Sequence, residues 1–175
     1  MSFRTTPLTV AHDRDKSTLF TAELREAIDA LLTRYPEDWQ QSAVMPALTL
    51  LQDANGGWLT RELMDDLAAY LDMPEVAVYE VATFYGMYDL EPQGRHKVCV
   101  CNSVSCMLRG SETLIEHVGE KYGVGPGETT ADGRFTLKEV ECLGACRHAP
   151  AVLVDKTYHE NLSPEALDEL IDGLE

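Results

Sequence analysis

Five cysteines fall in an uneven pattern, with Cys99, Cys101 and Cys106 in "CVCNSVSC" and Cys142 and Cys146 in "CLGAC". Four residues separate Cys101 from Cys106, three separate Cys142 from Cys146, and thirty-five lie between the two pairs. Thirty-five residues suffice for a helix and a returning strand, so the pairs can meet at one end of a sheet. Four thiolates converging from two loops meet a metal site's requirement. Structural zinc favours two-residue spacing, because a tight turn presents both sulfurs to one tetrahedral ion. Wider spacing suits a two-iron cluster with two thiolates on each iron, and the plant-type ferredoxin run C-x4-C-x2-C is absent. Spacing alone leaves three uses open: an iron-sulfur cluster, which fits best, a zinc-stabilised interaction module, and unligated or redox thiols. A disulfide-exchange enzyme is disfavoured, because the C-x-x-C dithiol is missing. Gly110 and Gly144 are expected to let backbone N–H groups approach sulfur.

Other candidates carry less. Cys99 shares a strand face with Cys101 and reads as a small apolar residue of a central strand rather than a spare ligand. His148 could replace a thiolate, but Rieske ligation needs two histidines, so Arg147 and His148 read as rim or solvent-facing residues. "GVGPGE" (Gly123 to Glu128) follows a helix where a dinucleotide fingerprint precedes one, and reads as a connecting loop. The chain shows no NADH or FMN site of its own and no spacing that argues hydrolysis. "TFYGMY" (Thr83 to Tyr88) is assigned to helix packing, with an exposed aromatic docking patch as the alternative.

The elements that must position these thiols differ between the halves. Phe20, Leu24, Ile28, Leu31 and Leu32 recur at helical spacing. A second helix is expected after Ser42 as N-cap, ending before "NGG" at Asn55. Thr60 caps a third, with Leu63, Leu67 and Leu71 as its stripe, and Met73-Pro74 opens a fourth with Val78, Val81 and Tyr85 inward, stopped by Gly86. After "LEPQG" the pattern alternates: "HKVCVC" (His96 to Cys101) is a strand with Val98 and Val100 on one face. Ser111 is expected to cap a helix with Leu114, Ile115, Val118 and Tyr122 inward, ending at Gly123. "RFTLKEVEC", "APAVLVD" and Lys156 to Glu160 read as strands. Ser163-Pro164 opens a last helix, with Leu167, Leu170, Ile171 and Leu174 inward and Glu165, Asp168, Glu169 and Asp172 on its wet face. The expected class is α+β, with a helical bundle over 1–90 and an α/β domain over 91–175.

The net charge is -16 over 175 residues, with -9 up to Leu90 and -7 beyond. No basic patch is left for nucleic acid, and a protein partner with basic patches is the natural counterpart. No apolar run approaches the ~20 residues of a membrane span, and the N-terminal stretch lacks an apolar h-region. A reducing compartment is expected, in which cysteines are ligands or reactive thiols.

"CNSVSCMLRG", "VECLGACRHAP" and the upstream "VATFYGMYDLEPQGRHKVCVC" resemble the thioredoxin-like 2Fe-2S subunit of NADH:quinone oxidoreductase, the mitochondrial 24 kDa subunit family, over roughly residues 20 to 175. The resemblance implies a helical bundle joined to a thioredoxin-like domain and one 2Fe-2S cluster ligated by Cys101, Cys106, Cys142 and Cys146. It implies an electron-transfer subunit of that enzyme, without a complete active site in this chain. The cluster would exchange single electrons with FMN on the neighbouring NADH-oxidising subunit, among other peripheral-arm subunits. It would be cytoplasmic, at the cytoplasmic side of the bacterial inner membrane, without insertion. The small diaphorase subunit of an NAD-linked hydrogenase or formate dehydrogenase is the alternative. Many family members carry threonine and proline between the first two cysteines, where this chain has Asn102, Ser103, Val104 and Ser105. Hydroxyl and amide donors near sulfur are expected to raise the cluster's potential.

Overall fold

The computed structural model describes residues 19–175, so the N-terminal stretch considered above for targeting lies outside the described residues. The chain divides into a first unit ending at Glu91 and a second over Pro92–Glu175.

In the first unit, helix α1 (Ala22–Leu32) begins at Thr21, whose Oγ1 accepts the Leu24 N–H at 3.2 Å. Helix α3 (Arg61–Tyr70) begins in the same way, with Thr60 Oγ1 accepting the Leu63 N–H at 3.2 Å. Such caps satisfy donors that have no partner in the first helical turn. Helix α2 (Val44–Ala54) starts differently from the expectation: a 3-10 segment over Glu37–Ala43 includes Ser42, and no side chain caps α2. Helix α4 (Glu75–Phe84) follows Pro74. The stripes of these helices, with Ile28, Leu48, Leu51, Leu67 and Val78 fully enclosed, form one core.

The segment after α4 is pinned back to α2. Gln52 Nε2 donates to the Met87 carbonyl at 3.0 Å, its Oε1 accepts the Asp89 N–H at 2.8 Å, and Tyr88 Oη donates to the Met45 carbonyl at 2.9 Å. Tyr85, expected inward, is exposed, because the chain turns extended there, after the last helical residue.

The second unit alternates strand and helix. Strand β1 (His96–Cys101) runs parallel to β2 (Phe135–Val140), joined by a crossover that holds the short helix α5 (Val104–Met107) and helix α6 (Ser111–Tyr122). Strands β3 (Ala151–Val154) and β4 (Thr157–Glu160) add antiparallel, giving the order β2-β1-β3-β4. Helix α7 (Pro164–Asp172) closes the unit, capped by Ser163. Val98, Val100, Leu137, Val152, Leu114, Leu167 and Ile171 form its core between sheet and helices. Gly94 enters β1 against the backbone of β2, where an added Cβ would sit 2.7 Å from the Phe135 carbonyl carbon, so only glycine fits.

Two expectations in this unit need correction. Ser111 does not cap α6; Gly110, in the left-handed region at φ 94°, takes that place, and the buried Ser111 Oγ donates to Asn102 Oδ1 at 2.7 Å. The loop expected to carry the first cysteine pair contains α5, which holds Cys106.

Candidate iron-sulfur site

Register brings the cysteines together. Cys101, the last residue of β1, stands opposite Val140, the last residue of parallel β2, so both strands end flush and Cys142 follows two residues on. Cys106 returns on α5, and Cys146 opens a 3-10 turn over Cys146–His148. Cys142 and Cys146 lie with Sγ atoms 3.3 Å apart, and the Gly144 N–H donates to Cys142 Sγ at 3.4 Å. Gly144 adopts φ 82°, a left-handed conformation that side-chain-bearing residues rarely hold, and that turn aims its N–H at sulfur. Gly110 serves the helix entry instead, and its N–H goes to the Met107 carbonyl.

The two pairs also reach each other. Burial pushes the Cys101 thiol up, but the backbone N–H groups of Ser103 and Leu143 and the Cys106 side chain outweigh it, so its pKa is lowered. Leu143 belongs to the second pair's loop and packs against the cluster that holds Cys101 and Cys106. Burial holds the Cys106 thiol up despite the Ala151 N–H, with Cys101 and then Cys146 adding to the rise. The Cys142 thiol raises the pKa of Cys146, against a hydroxyl contact from Ser105. Cys101 and Cys106 are buried with Ala149 and Ala151, whereas Cys142 and Cys146 are exposed.

A hydrogen-bonded clasp fixes the spacing between the loops. Asn102 Nδ2 donates to Glu139 Oε1 at 2.6 Å, Ser103 Oγ donates to Glu141 Oε2 at 3.0 Å, and the Asn102 N–H donates to the Val140 carbonyl at 3.0 Å. Asn102 and Ser103 thus tie the first cysteine loop to the chain that delivers the second pair.

The donor set fits a 2Fe-2S cluster. It comprises four soft thiols in two pairs, backed by an N–H donor at Cys142 for anionic sulfur. Among the described residues, no three His, Cys, Asp or Glu side chains converge on a single ion position. Two thiol pairs on separate loops suit two irons with two thiolates on each. Cys99 pairs with Lys138 and Leu153 in the middle of the sheet and is half-buried. His148 is exposed, with Nδ1 3.8 Å from Glu160 Oε2 on β4. The "GVGPGE" segment is a loop closed by Glu128 Oε2, which accepts the Gly125 N–H at 2.8 Å. No helix among the described residues is long and apolar enough to cross a membrane.

Comparison with known proteins agrees with this geometry. A family model for a thioredoxin-like [2Fe-2S] ferredoxin matches residues 28–175. An NADH-quinone oxidoreductase subunit of Rickettsia bellii (strain RML369-C) is 41% identical over 160 residues, 91% of this chain and 92% of its own. An NADH-quinone oxidoreductase subunit of Rhizobium meliloti (strain 1021) is 46% identical over 150 residues, 86% of this chain and 88% of its own. Among solved structures, NAD+-reducing [NiFe]-hydrogenase in its H2-reduced state superposes with a TM-score of 0.61 at 25% identity. That match covers 71% of this chain and only 21% of the hydrogenase chain. The air-oxidised state gives 0.59 at 22% identity, over 79% of this chain and 24% of that one, and speaks for the fold alone.

Proposed function

Given that the chain belongs to the thioredoxin-like [2Fe-2S] ferredoxin family, we propose that Cys101 and Cys106 hold one iron of its cluster and Cys142 and Cys146 the other. The protein is an electron-transfer subunit of an NADH-quinone oxidoreductase, the role its relatives' names carry. The bound cluster supplies one-electron exchange. This chain's residues supply the rest. The buried pair and its alanine wall keep water from one side, N–H donors offset negative charge on sulfur, and the exposed pair leaves a short path to a partner. The partner is the FMN-bearing, NADH-oxidising subunit of the same complex, beside other peripheral-arm subunits at the cytoplasmic side of the bacterial inner membrane. Two-electron NADH chemistry belongs to that neighbour.

The flush ends of β1 and β2, which bring both cysteine loops to one end of the sheet, carry the reading. Anaerobic purification tests it: a reddish-brown protein with iron and acid-labile sulfide in equal amounts is expected. Colourless protein containing zinc would overturn it.

A second reading, the small diaphorase subunit of an NAD-linked hydrogenase or formate dehydrogenase, draws support from the superposition on a hydrogenase. Extensive identity to quinone-reductase subunits favours the first reading. Neighbouring genes discriminate: hydrogenase or formate dehydrogenase subunits alongside this one would favour the second.

A further inference from the structure

We infer that Asn102 is the positioning residue of the site: its carboxamide joins the buried first turn of α6 to the end of β2 and so holds both cysteine loops in one frame. The inference rests on the ligand assignment proposed above.

Cys142 and Cys146 are exposed, so packing does little to place them. Cys142 follows β2 by two residues, and whatever fixes the end of β2 therefore fixes the approach to that pair. Three bonds reach it from the first cysteine loop. The Asn102 N–H donates to the Val140 carbonyl at 3.0 Å, Ser103 Oγ donates to Glu141 Oε2 at 3.0 Å, and Asn102 Nδ2 donates to Glu139 Oε1 at 2.6 Å. The Asn102 side chain also reaches inward, where its Oδ1 accepts the Ser111 hydroxyl at 2.7 Å. Ser111 is fully enclosed and begins α6, whose Leu114 and Val118 pack into the core of the second unit. The line Ser111–Asn102–Glu139 thus carries the rigidity of the core out to the strand end that delivers the exposed thiols.

The bond directions select an amide. A carboxamide accepts from a hydroxyl and donates to a carboxylate at once, whereas a carboxylate does only the first. At the inner end, the enclosed Ser111 hydroxyl has its acceptor in Asn102, and a buried donor left unpaired is costly. At the outer end the bond to Glu139 is short and charge-assisted. A carboxylate at position 102 would keep Ser111 satisfied and meet Glu139 charge against charge.

The test uses the full chain carrying its cluster, kept anaerobic, and follows iron release to a chelator by loss of visible absorbance. Visible circular dichroism of the cluster is the second readout. Asn102→Asp should speed release about tenfold, the size of one charge-assisted hydrogen bond, and alter the dichroism. Asn102→Asp with Glu139→Gln makes the same bond with donor and acceptor exchanged. It should return release to within about twofold of wild type and recover the dichroism. Asn102→Asp with Glu141→Gln has the same net charge, and the amide at 141 still accepts from Ser103, so it should stay as labile as the single variant. Equal rescue by the two pairs would reduce the effect to charge and overturn the inference. Wild-type release from Asn102→Asp, or no rescue by Glu139→Gln, would do the same. If Asn102→Asp does not fold, recovery of a loaded chain by Glu139→Gln and not by Glu141→Gln supports the inference; any other pattern overturns it. A wild-type chain that holds no iron-sulfur cluster would instead bring down the ligand assignment.

Discussion

The two cysteine pairs sit at one end of one sheet in opposite solvent conditions. Cys101 and Cys106 are each 2% exposed, at the end of a central strand and on a helix packed beside it. Cys142 and Cys146 stand on a surface loop that contains a left-handed glycine. One pair is part of the fold's interior; the other depends on local turn geometry and on contacts from the first. The proposed four-thiolate site therefore rests on unequal structural support. Damage to the two halves should differ in kind.

The largest effect is expected from Cys101→Ser or Cys106→Ser. Each should abolish the cluster spectrum and also destabilise the cluster-free protein by about 1–3 kcal/mol, the cost of a poorly satisfied buried hydroxyl. Cys142→Ser or Cys146→Ser should remove the spectrum but leave thermal unfolding of the cluster-free protein nearly unchanged. Equal losses of stability from both pairs would break the contrast.

Gly144→Val comes next. Forcing a β-branched residue into the left-handed region costs on the order of 1–3 kcal/mol. Here that cost falls on the loop rather than the core. Iron and sulfide content should fall while the sheet's circular dichroism stays intact. Full cluster occupancy in this variant would show that the exposed loop tolerates another path.

Ser105→Ala probes the bridge between the pairs. Loss of one donor near Cys146 Sγ should lower the midpoint potential. About 1 kcal/mol per hydrogen bond corresponds to roughly 40 mV for one electron. A redox titration followed by electron paramagnetic resonance reads it, and an unchanged potential would remove Ser105 from the site. The smallest effect belongs to Cys99→Ala, which should leave the spectrum intact; loss of the cluster there would make a third thiol of "CVCNSVSC" part of the site.

Much of this contrast is legible in the sequence, because period-two alternation places β1 and spacing groups the thiols in two pairs. Some of it is not. Four residues are too few to show a helical period, so α5 stays hidden under a loop-like "NSVSC". Ser111 carries a cap's signature, yet Gly110 takes the helix entry and frees its hydroxyl for Asn102. The contact from Ser105 to Cys146 spans forty-one positions of chain, and no local pattern encodes it. Tyr85 misleads because helical spacing continues past the point where the backbone has already turned extended.

The flush ends of β1 and β2 carry a kinetic and thermodynamic consequence. An unfolded chain offers iron two isolated dithiols, since the parallel ladder that unites them closes a loop of thirty-nine positions, from Cys101 to Val140. Closing that loop costs entropy before any ladder bond offsets it. A four-thiolate cage therefore exists only after the sheet has registered, and a cluster that needs all four binds the native state alone. By mass action it then pulls the second unit's folding equilibrium toward completion. Cluster occupancy becomes a record that the crossover has formed in the correct register.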